Sequence, residues 1–295
     1  MMNRAMEHSE ILQMNDKPNF FVSHCDIPYK VTDYTLDSYV RQMRRRVLEP
    51  LAEKYGVDTS DAAIRKAVAE HNEVCAIISE IGEMRKADNP VITGYEFHVL
   101  NLVSFTCPKQ LILPYLRETL EELKTRKPDA KPAFRARVAI VGSEIDDPNL
   151  TKLIESCGAL VVSDRYCFGS TPGREIIHLR DDEDALPQIC LHIMEHSECA
   201  RYISDEKVQQ RRDTADRLAR AFHADGIIYE QMKYCDYWGF ERALVSHIMH
   251  EEYNWPVLSI DRLYNNGNSG QLRTRVQAFV ESLEIKKLHK NGGAN

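Results

Sequence analysis

The sequence predicts an α/β protein, in which a helical N-terminal region is followed by a four-stranded parallel sheet flanked by helices. Two patterns support this class. Between residues 34 and 126, apolar side chains recur at the three- and four-residue spacings of helices. Beyond residue 133, short apolar runs alternate with longer helix-like segments, which is typical of βαβ units and a parallel sheet. With 295 residues, 43% of them hydrophobic, the chain can bury a full core.

The N-terminal part contains one predicted strand and three predicted helices. The apolar run at residues 19–23 predicts a short strand, which Pro28 ends. The helices are expected over residues 36–55, from after Asp61 to about residue 85, and over residues 111–123. Pro50 should break or kink the first, since proline lacks the N–H that a helix interior needs, and His71 lies on an apolar face of the second and is expected in the core. A linker at residues 127–132 follows, because two prolines lie there among polar residues.

The C-terminal part alternates strands and helices. The strand-like runs cover residues 137–141, 159–163, 226–229 and 257–260. The helix-like segments cover residues 149–156, 183–199, 207–222, 242–252 and 271–283. If the strands are parallel, their carboxyl ends meet at one edge of the sheet, where ligands bind in open α/β proteins. That edge would carry Ser143, Cys167, Lys233, Cys235 and Trp238.

Charge and motif content disfavour several classes of function. A net charge of -7 and a pI near 5.9, without a basic stripe, argue against nucleic acid as a partner. The N-terminus has no apolar signal region and no run reaches roughly 18 apolar residues, so we expect a cytoplasmic protein without a membrane partner. Neither a G-x-G-x-x-G turn nor a G-x-x-x-x-G-K-[ST] loop is present, so nucleotide binding by this chain is not predicted.

The eight cysteines are scattered without a C-x-x-C pair, so a locally encoded zinc site is not predicted. Four of them fall in helical or apolar patterns and are expected to pack as small hydrophobes: Cys75, Cys157, Cys190 and Cys199. Cys25 and Cys107 border turns that contain proline. Burial of both thiols in these turns is the simpler interpretation, and a role as a substitute metal ligand is the alternative. Cys235 differs, because it follows an apolar strand within a polar and aromatic loop. A thiol in that place can reach a metal cluster or a substrate.

Four segments, in their order and spacing, carry a resemblance to a known family. They are Gly-Ser-Glu-Ile-Asp-Asp-Pro at 142–148, Asp-Arg-Tyr-Cys-Phe-Gly-Ser at 164–170, Glu-Gln-Met-Lys-Tyr-Cys-Asp-Tyr-Trp-Gly-Phe-Glu at 230–241 and Gly-Gln-Leu-Arg-Thr-Arg-Val-Gln-Ala-Phe at 270–279. Together they resemble the iron–sulfur subunits of the 2-hydroxyacyl-CoA dehydratase and benzoyl-CoA reductase family. Residues 229–241 and 264–287 look most like the B-type subunit of ATP-dependent benzoyl-CoA reductase. The helical stretch 34–126 is similar to the same proteins more loosely.

The resemblance implies a radical reaction on an acyl-CoA substrate. In this family, a separate ATP-hydrolysing iron–sulfur component delivers low-potential electrons to a [4Fe-4S] cluster in a subunit of this type. The electrons pass to the acyl-CoA thioester, and the resulting ketyl radical anion either loses water or leads to reduction of an aromatic ring. A homologous second subunit completes the enzyme, and ATP is expected on a partner only. Dearomatising benzoyl-CoA reduction is the first expectation, with 2-hydroxyacyl-CoA dehydration as the alternative.

The same resemblance assigns Cys235 as the C-terminal cysteine ligand of the cluster, and thiolates are the usual ligands of such clusters. Family members carry two further ligand cysteines in an α/β domain ahead of the helical region, and we expect this chain to begin near the end of that domain. Three parts follow: a remnant of that domain at residues 1–33, the helical region at 34–127, and the α/β domain with the cluster-ligand loop at 133–290. The alternative is a truncated, non-catalytic scaffold that holds no cluster.

Other candidates lie on the same predicted edge. Lys233 and Arg273 are candidates for contacts with CoA phosphates, as are the free backbone N–H groups at Gly270 and Gln271, where a helix begins. An equally good interpretation is that both side chains are ordinary charges exposed to solvent. Cys167, on a neighbouring strand-end loop, is a second candidate for cofactor binding or for lining the site.

The catalytic candidates are Glu230, Lys233 and Trp238. Glu230 and Asp236 are candidates for moving protons or for orienting the loop. Trp238, with Tyr237, is a candidate for a wall that excludes water from a radical intermediate, and packing under the loop is the alternative.

Overall fold

The computed structural model describes residues 23, 25–129, 133–143, 145–170, 175–263 and 269–292. It divides into two compact units, a smaller one of Met1–Ala67 with Ile177–Ser197 and a larger one of Val68–Ile176 with Glu198–Asn295. The three parts expected from the sequence divide the chain at other residues than these two units do. The boundaries of those three parts stay predictions. All of the predicted strand at 19–23 except Ser23 lies outside the described residues. Within the described ranges, no helix has both the length and the apolar character needed to cross a bilayer.

The described residues form the helices α1 (Asp33–Gln42), α2 (Glu49–Tyr55), α3 (Asp61–Glu83), α4 (Gly94–Thr106), α5 (Lys109–Thr125), α6 (Asn149–Ser156), α7 (Ala185–His196), α8 (Asp205–Ala221), α9 (Asp236–Glu251) and α10 (Ser269–Gly292). Their strands are β1 (Ala136–Gly142), β2 (Ala159–Arg165), β3 (Gly226–Met232) and β4 (Val257–Arg262). The predicted fold class is therefore confirmed: helices precede a four-stranded parallel sheet that has further helices on both of its faces.

The smaller unit is helical. Its core contains Tyr39 from α1 and Leu186, Cys190 and Met194 from α7. The first predicted helix does not stop before Pro50. A π-helical turn at Met43–Leu48 joins α1 to α2, so the chain changes its helical winding ahead of the proline and remains helical to Tyr55.

In the larger unit, α3, α4 and α5 share one hydrophobic core. The sequence did not predict α4, because its apolar residues surround the helix and leave no three- or four-residue period to recognise. A capping box starts this helix. The Glu96 backbone N–H donates to Thr93 Oγ1 at 3.1 Å, and the Thr93 backbone N–H donates to Glu96 Oε2 at 2.8 Å. The Thr-x-x-Glu spacing at residues 93–96 was therefore the signal that could have revealed α4.

The sheet has the strand order β2-β1-β3-β4, and every neighbouring pair is parallel. Side chains alternate between its faces, as the two-residue period of a strand requires. On one face, residues such as Val138 and Ile140 pack against α6 and α10. On the other face, Ala139 and Val141 pack with α8 and α9. The sheet is thus covered on both sides, and its exposed chemistry is confined to the strand ends.

Each strand extends one to three residues beyond its predicted carboxyl end. The extensions contain four buried charged residues: Asp164, Arg165, Glu230 and Arg262. A sequence pattern stops at the last apolar residue, whereas a real strand continues where a charged side chain finds a partner of opposite sign. Helix α9 also begins earlier than predicted, at Asp236 instead of residue 242, so the loop after β3 contains only residues 233–235.

The close approach of β1 and β3 depends on Gly142. A Cβ at this position would lie 2.3 Å from the Glu230 carbonyl oxygen, a distance that side chains cannot tolerate against backbone. We predict that Gly142→Ala lowers the free energy of unfolding by about 1 to 3 kcal/mol, measured by urea denaturation.

Gly270 provides the matched control. A Cβ there has no atom of the described residues within 4 Å, and alanine favours helix. Gly270→Ala should leave the free energy of unfolding unchanged or slightly raised. An equal loss of the free energy of unfolding in the two variants would contradict the close approach of β1 and β3.

Candidate functional site

The strand order creates a topological switch point between β1 and β3, because the chain passes from β1 to β2 on one side and returns to β3 on the other. Ligands of open α/β sheets bind outside the carboxyl ends of the strands at such a point. Ser143 lies there, directly after β1. Its backbone N–H donates to the Glu230 carbonyl at 3.2 Å, its Oγ donates to Glu230 Oε2 at 2.9 Å, and the same Oγ accepts the N–H of Met232 at 2.6 Å. Ser143 therefore joins β1 to β3.

The Glu230 carboxylate also joins β3 to β4. Its Oε1 lies 2.7 Å from Nε of Arg262, and both side chains are buried. Burial raises the pKa of Glu230, while the Arg262 guanidinium and the Ser143 hydroxyl act in the opposite direction. Arg262 was not predicted, because the apolar pattern of the fourth strand ends at Ile260. Since both carboxylate oxygens are engaged within the protein, the geometry favours a positioning role for Glu230 over proton transfer.

The Cys235 loop is short and held by backbone bonds. The Cys235 N–H donates to the Met232 carbonyl at 3.1 Å, and the Cys235 carbonyl accepts the N–H of Gly239 at 2.9 Å and the Gln231 side-chain amide at 3.3 Å. Tyr234 has a φ of 74°, a left-handed conformation that is uncommon for tyrosine. These contacts turn the chain from β3 into α9 within three residues and place Cys235 at the start of the helix.

The Cys235 thiol is half-buried at the border of the core that contains Tyr229 and Trp238. Burial raises its pKa, the backbone N–H of Trp238 lowers it, and the neighbouring Cys199 and Glu230 raise it further. Cys199 lies near this core, because the adjacent Ala200 packs in it, although the sequence placed Cys199 within a packing helix. The helix in fact ends at His196, and Cys199 follows in a non-helical segment.

A complete ligand set for a metal cluster is not present in the part of the chain that the structure describes. No three or more His, Cys, Asp or Glu side chains there are grouped so that they could hold a metal ion. A [4Fe-4S] cluster is normally held by four thiolates. Cys235 and Cys199 are therefore at most part of such a set. Cys167 is exposed, and its backbone N–H donates to the Ser143 carbonyl at 3.2 Å, which places it on the same edge of the sheet.

Trp238 and Lys233 have contrasting environments. Trp238 is buried on the face of α9 that packs against the sheet, with the guanidinium of Arg165 at 5.2 Å from its ring. Arg165 pairs in turn with Glu198, Nε to Oε2 at 2.6 Å, which is a second buried contact that the sequence did not predict. Lys233 is exposed, and its Nζ lies 3.6 Å from Oδ2 of Asp261.

The other candidates for CoA phosphate contacts lie in the first turns of α10. Gly270 and Gln271 are exposed there. Arg273 donates from Nη1 to Ser156 Oγ at 2.9 Å, so its described contact is on α6. Residues 264–268, which precede this helix, lie outside the described residues.

Of the two cysteines at proline-containing turns, Cys25 packs against the core of the smaller unit and Cys107 against the core of α3, α4 and α5.

The buried ion pair gives a test of the strand-end geometry. We predict that Arg262→Met lowers the free energy of unfolding by about 3 to 5 kcal/mol, because it leaves the Glu230 carboxylate buried and unpaired. Adding Glu230→Gln to that variant should restore part of the loss, since a neutral amide costs less to bury. Urea denaturation measures both values, and a single variant as stable as the wild type would contradict the pairing.

Comparison with known proteins agrees with this organisation. A family profile described as 2-hydroxyglutaryl-CoA dehydratase, D-component, matches residues 3–283. The chain is also 23% identical over 268 residues to YjiM of Escherichia coli (strain K12), which is named, provisionally, as a dehydratase subunit; the match covers 87% of this chain and 67% of that protein. Because the profile spans nearly the whole chain, the protein belongs to the 2-hydroxyglutaryl-CoA dehydratase D-component family.

Proposed function

We propose that this chain is the acyl-CoA-binding subunit of a 2-hydroxyacyl-CoA dehydratase, and that it works with a homologous second subunit in the cytoplasm. The observation that supports this most directly is the position of Cys235. The thiol lies beside the switch point of the sheet, at the start of α9, on a loop held by backbone bonds and by the buried Glu230–Arg262 pair. A thiol needed only for packing would not require that support.

We also propose that Cys235 supplies one thiolate to an iron–sulfur cluster, for which the described residues do not provide a complete ligand set. Such a cluster supplies low-potential electron transfer when it is bound. The chain's own contribution is to hold the sulfur at the strand end and to provide it with a helix N-terminus, where negative charge is favoured. Because burial raises the pKa of Cys235, the thiol of the metal-free chain holds its proton to higher pH than an ordinary thiol, and a metal ion that binds the sulfur displaces that proton.

Acyl-CoA binding is assigned to the same edge of the sheet. The first turn of α10 presents the N–H groups of exposed Gly270 and Gln271, which suit an anionic phosphate. Lys233 is exposed beside the Cys235 loop, and its ammonium lies at the rim within 3.6 Å of Asp261 Oδ2, an exposed contact that a phosphate would compete with. ATP is assigned to a separate iron–sulfur electron donor, since neither of the two nucleotide-binding glycine motifs occurs in this sequence.

Ring reduction of benzoyl-CoA is the second candidate function, and the aromatic residues around the loop favour it. Tyr234 and Phe240, on either side of Cys235 in the chain, are 89% and 77% exposed. Flat aromatic side chains at the entrance of a site stack well with an aromatic acyl group. This candidate needs the same partners and differs in the acyl group and in the reaction, which is a net reduction of the ring instead of a loss of water.

The decisive experiment uses the anaerobically purified complex, co-expressed with the homologous subunit and the ATP-hydrolysing donor. We expect ATP-dependent dehydration of a 2-hydroxyacyl-CoA, and the same preparation tested with benzoyl-CoA decides between the two reactions. Cys235→Ala should lower both iron content and activity, the latter by about a hundredfold or more, since even outer contacts of a metal site contribute 10- to 100-fold.

Cys107→Ala is the control for this substitution, because Cys107 is also half-buried but borders the core of α3, α4 and α5. It should leave iron content and activity unchanged. If the Cys235→Ala complex retains full iron and activity, the ligand assignment is wrong. If the complete wild-type complex converts neither substrate, the proposed function is wrong.

The protonation state of Cys235 gives a further prediction for the metal-free chain. Because burial raises the pKa of Cys235, iodoacetamide should modify it more slowly than the exposed Cys167 near neutral pH. Its rate should rise with pH and reach half of its maximum above the ordinary thiol pKa of about 8.5. Mass spectrometry of the separate peptides measures both rates. Equal modification of the two cysteines near neutral pH would contradict the raised pKa.

A further inference from the structure

A small cleft in the larger unit lies among α3, α4 and the start of α5, and has a volume of about 40 Å³. At about 10 to 15 Å³ for each water molecule, this space holds a few waters or a small polar group. Gly169, from the loop that follows β2, also lines it. The preceding residue of that loop, Phe168, packs edge-on against Phe105 of α4, with ring centroids 5.5 Å apart. The cleft therefore borders the loop that carries Cys167.

The cleft contains a cysteine–histidine pair in a neutral state. Cys75 Sγ lies 3.3 Å from Nε2 of His71, one helical turn away on α3. Burial raises the pKa of Cys75 to about 11 and lowers that of His71. A protonated thiol beside a neutral imidazole is not an activated nucleophile. The pair therefore serves as a polar wall, although the sequence predicted simple packing for both residues.

The charge in the cleft comes from Lys109, the first residue of α5. Its ammonium group is half-buried and donates to the Ser104 carbonyl. The residues that line the cleft include no aspartate or glutamate, and no carboxylate of the described residues pairs with Lys109. Burial lowers the pKa of Lys109, which reflects the cost of holding this charge away from water.

A second polar group lacks a partner in the same place. The Nδ2 atom of Asn101 is buried, and among the described residues it has no hydrogen-bond acceptor. Buried amide groups in proteins are almost always hydrogen-bonded. Apolar side chains of Val74, Ile78 and Phe105 form the rest of the wall. The cleft thus offers a cation and an unused donor, framed by apolar surface.

We propose that this cleft binds a carboxylate group carried on a short apolar chain. The Lys109 ammonium compensates the negative charge, the Asn101 amide supplies a donor to a carboxylate oxygen, and the apolar wall contacts the chain. Charge-assisted bonds of this kind are stronger than neutral ones, which favours an acid over the corresponding amide. The carboxylate belongs either to a free short-chain acid or to the far end of an acyl-CoA. The proposal stands independently of the function proposed above.

The test measures binding of butyrate to the full-length chain by calorimetry, with butyramide as the neutral probe of matched size. We expect saturable binding of butyrate and binding of butyramide weaker by about tenfold or more, which corresponds to about 1.4 kcal/mol. Lys109→Met should weaken butyrate binding by a similar factor. Lys152→Met is the control, because Lys152 lies on α6, outside the cleft lining, with its ammonium over the Tyr95 ring.

A second measurement keeps the test valid if Lys109→Met does not fold. In the wild-type chain, butyrate should slow the iodoacetamide modification of Cys75 and leave that of the exposed Cys167 unchanged. The proposal is overturned if butyrate does not bind, if butyramide binds equally well, or if Lys109→Met and Lys152→Met bind butyrate alike.

Competition identifies the source of the carboxylate. Displacement of bound butyrate by glutaryl-CoA but not by butyryl-CoA would assign the cleft to the acid end of an acyl-CoA substrate. If neither thioester displaces butyrate, the ligand is a free short-chain acid.

Discussion

The strand-end region depends on one buried carboxylate. Glu230 has its side chain fully enclosed, and an enclosed charge is stable only where it is paired and hydrogen-bonded. One of its oxygens accepts from Ser143 after β1, and the other pairs with Arg262 at the end of β4. Three of the four strands are thereby held in register at their carboxyl ends. The turn that carries Cys235 starts from this fixed point, so the position of the thiol is set by the same contact.

Much of the fold could be predicted from the sequence, because its signals are local. The apolar runs identified all four strands of the sheet. The apolar residues Val276, Phe279 and Val280 recur at helical spacing, and in α10 they pack on the sheet. The strand ends could not be found in this way. Glu230 and Arg262 are charged and break the apolar pattern, yet they continue their strands because they pair across a distance of 32 residues in the chain. Helix α4 was missed for a different reason, since apolar residues on every side conceal its period.

The candidate site, like the fold, could be predicted from the sequence only in part. The place of Cys235 after the third strand of the sheet could be predicted, because a strand–loop–helix order is a local property. The neighbours that determine its chemistry could not. Cys199 approaches the loop from a segment 36 residues earlier in the chain, and its influence on Cys235 appears only in the folded protein. The cleft near Cys75 shows the same limit, since its polar groups come from three helices whose mutual packing no local pattern encodes.

The raised pKa of Cys235 has a consequence for the oxidation of its thiol. Oxidants attack the sulfur anion and react poorly with the neutral SH group. A half-buried thiol whose pKa is raised by burial is therefore oxidised by air more slowly than an exposed thiol of ordinary pKa. The desolvation that makes the Cys235 thiol a weaker acid thus also protects its sulfur from oxidation.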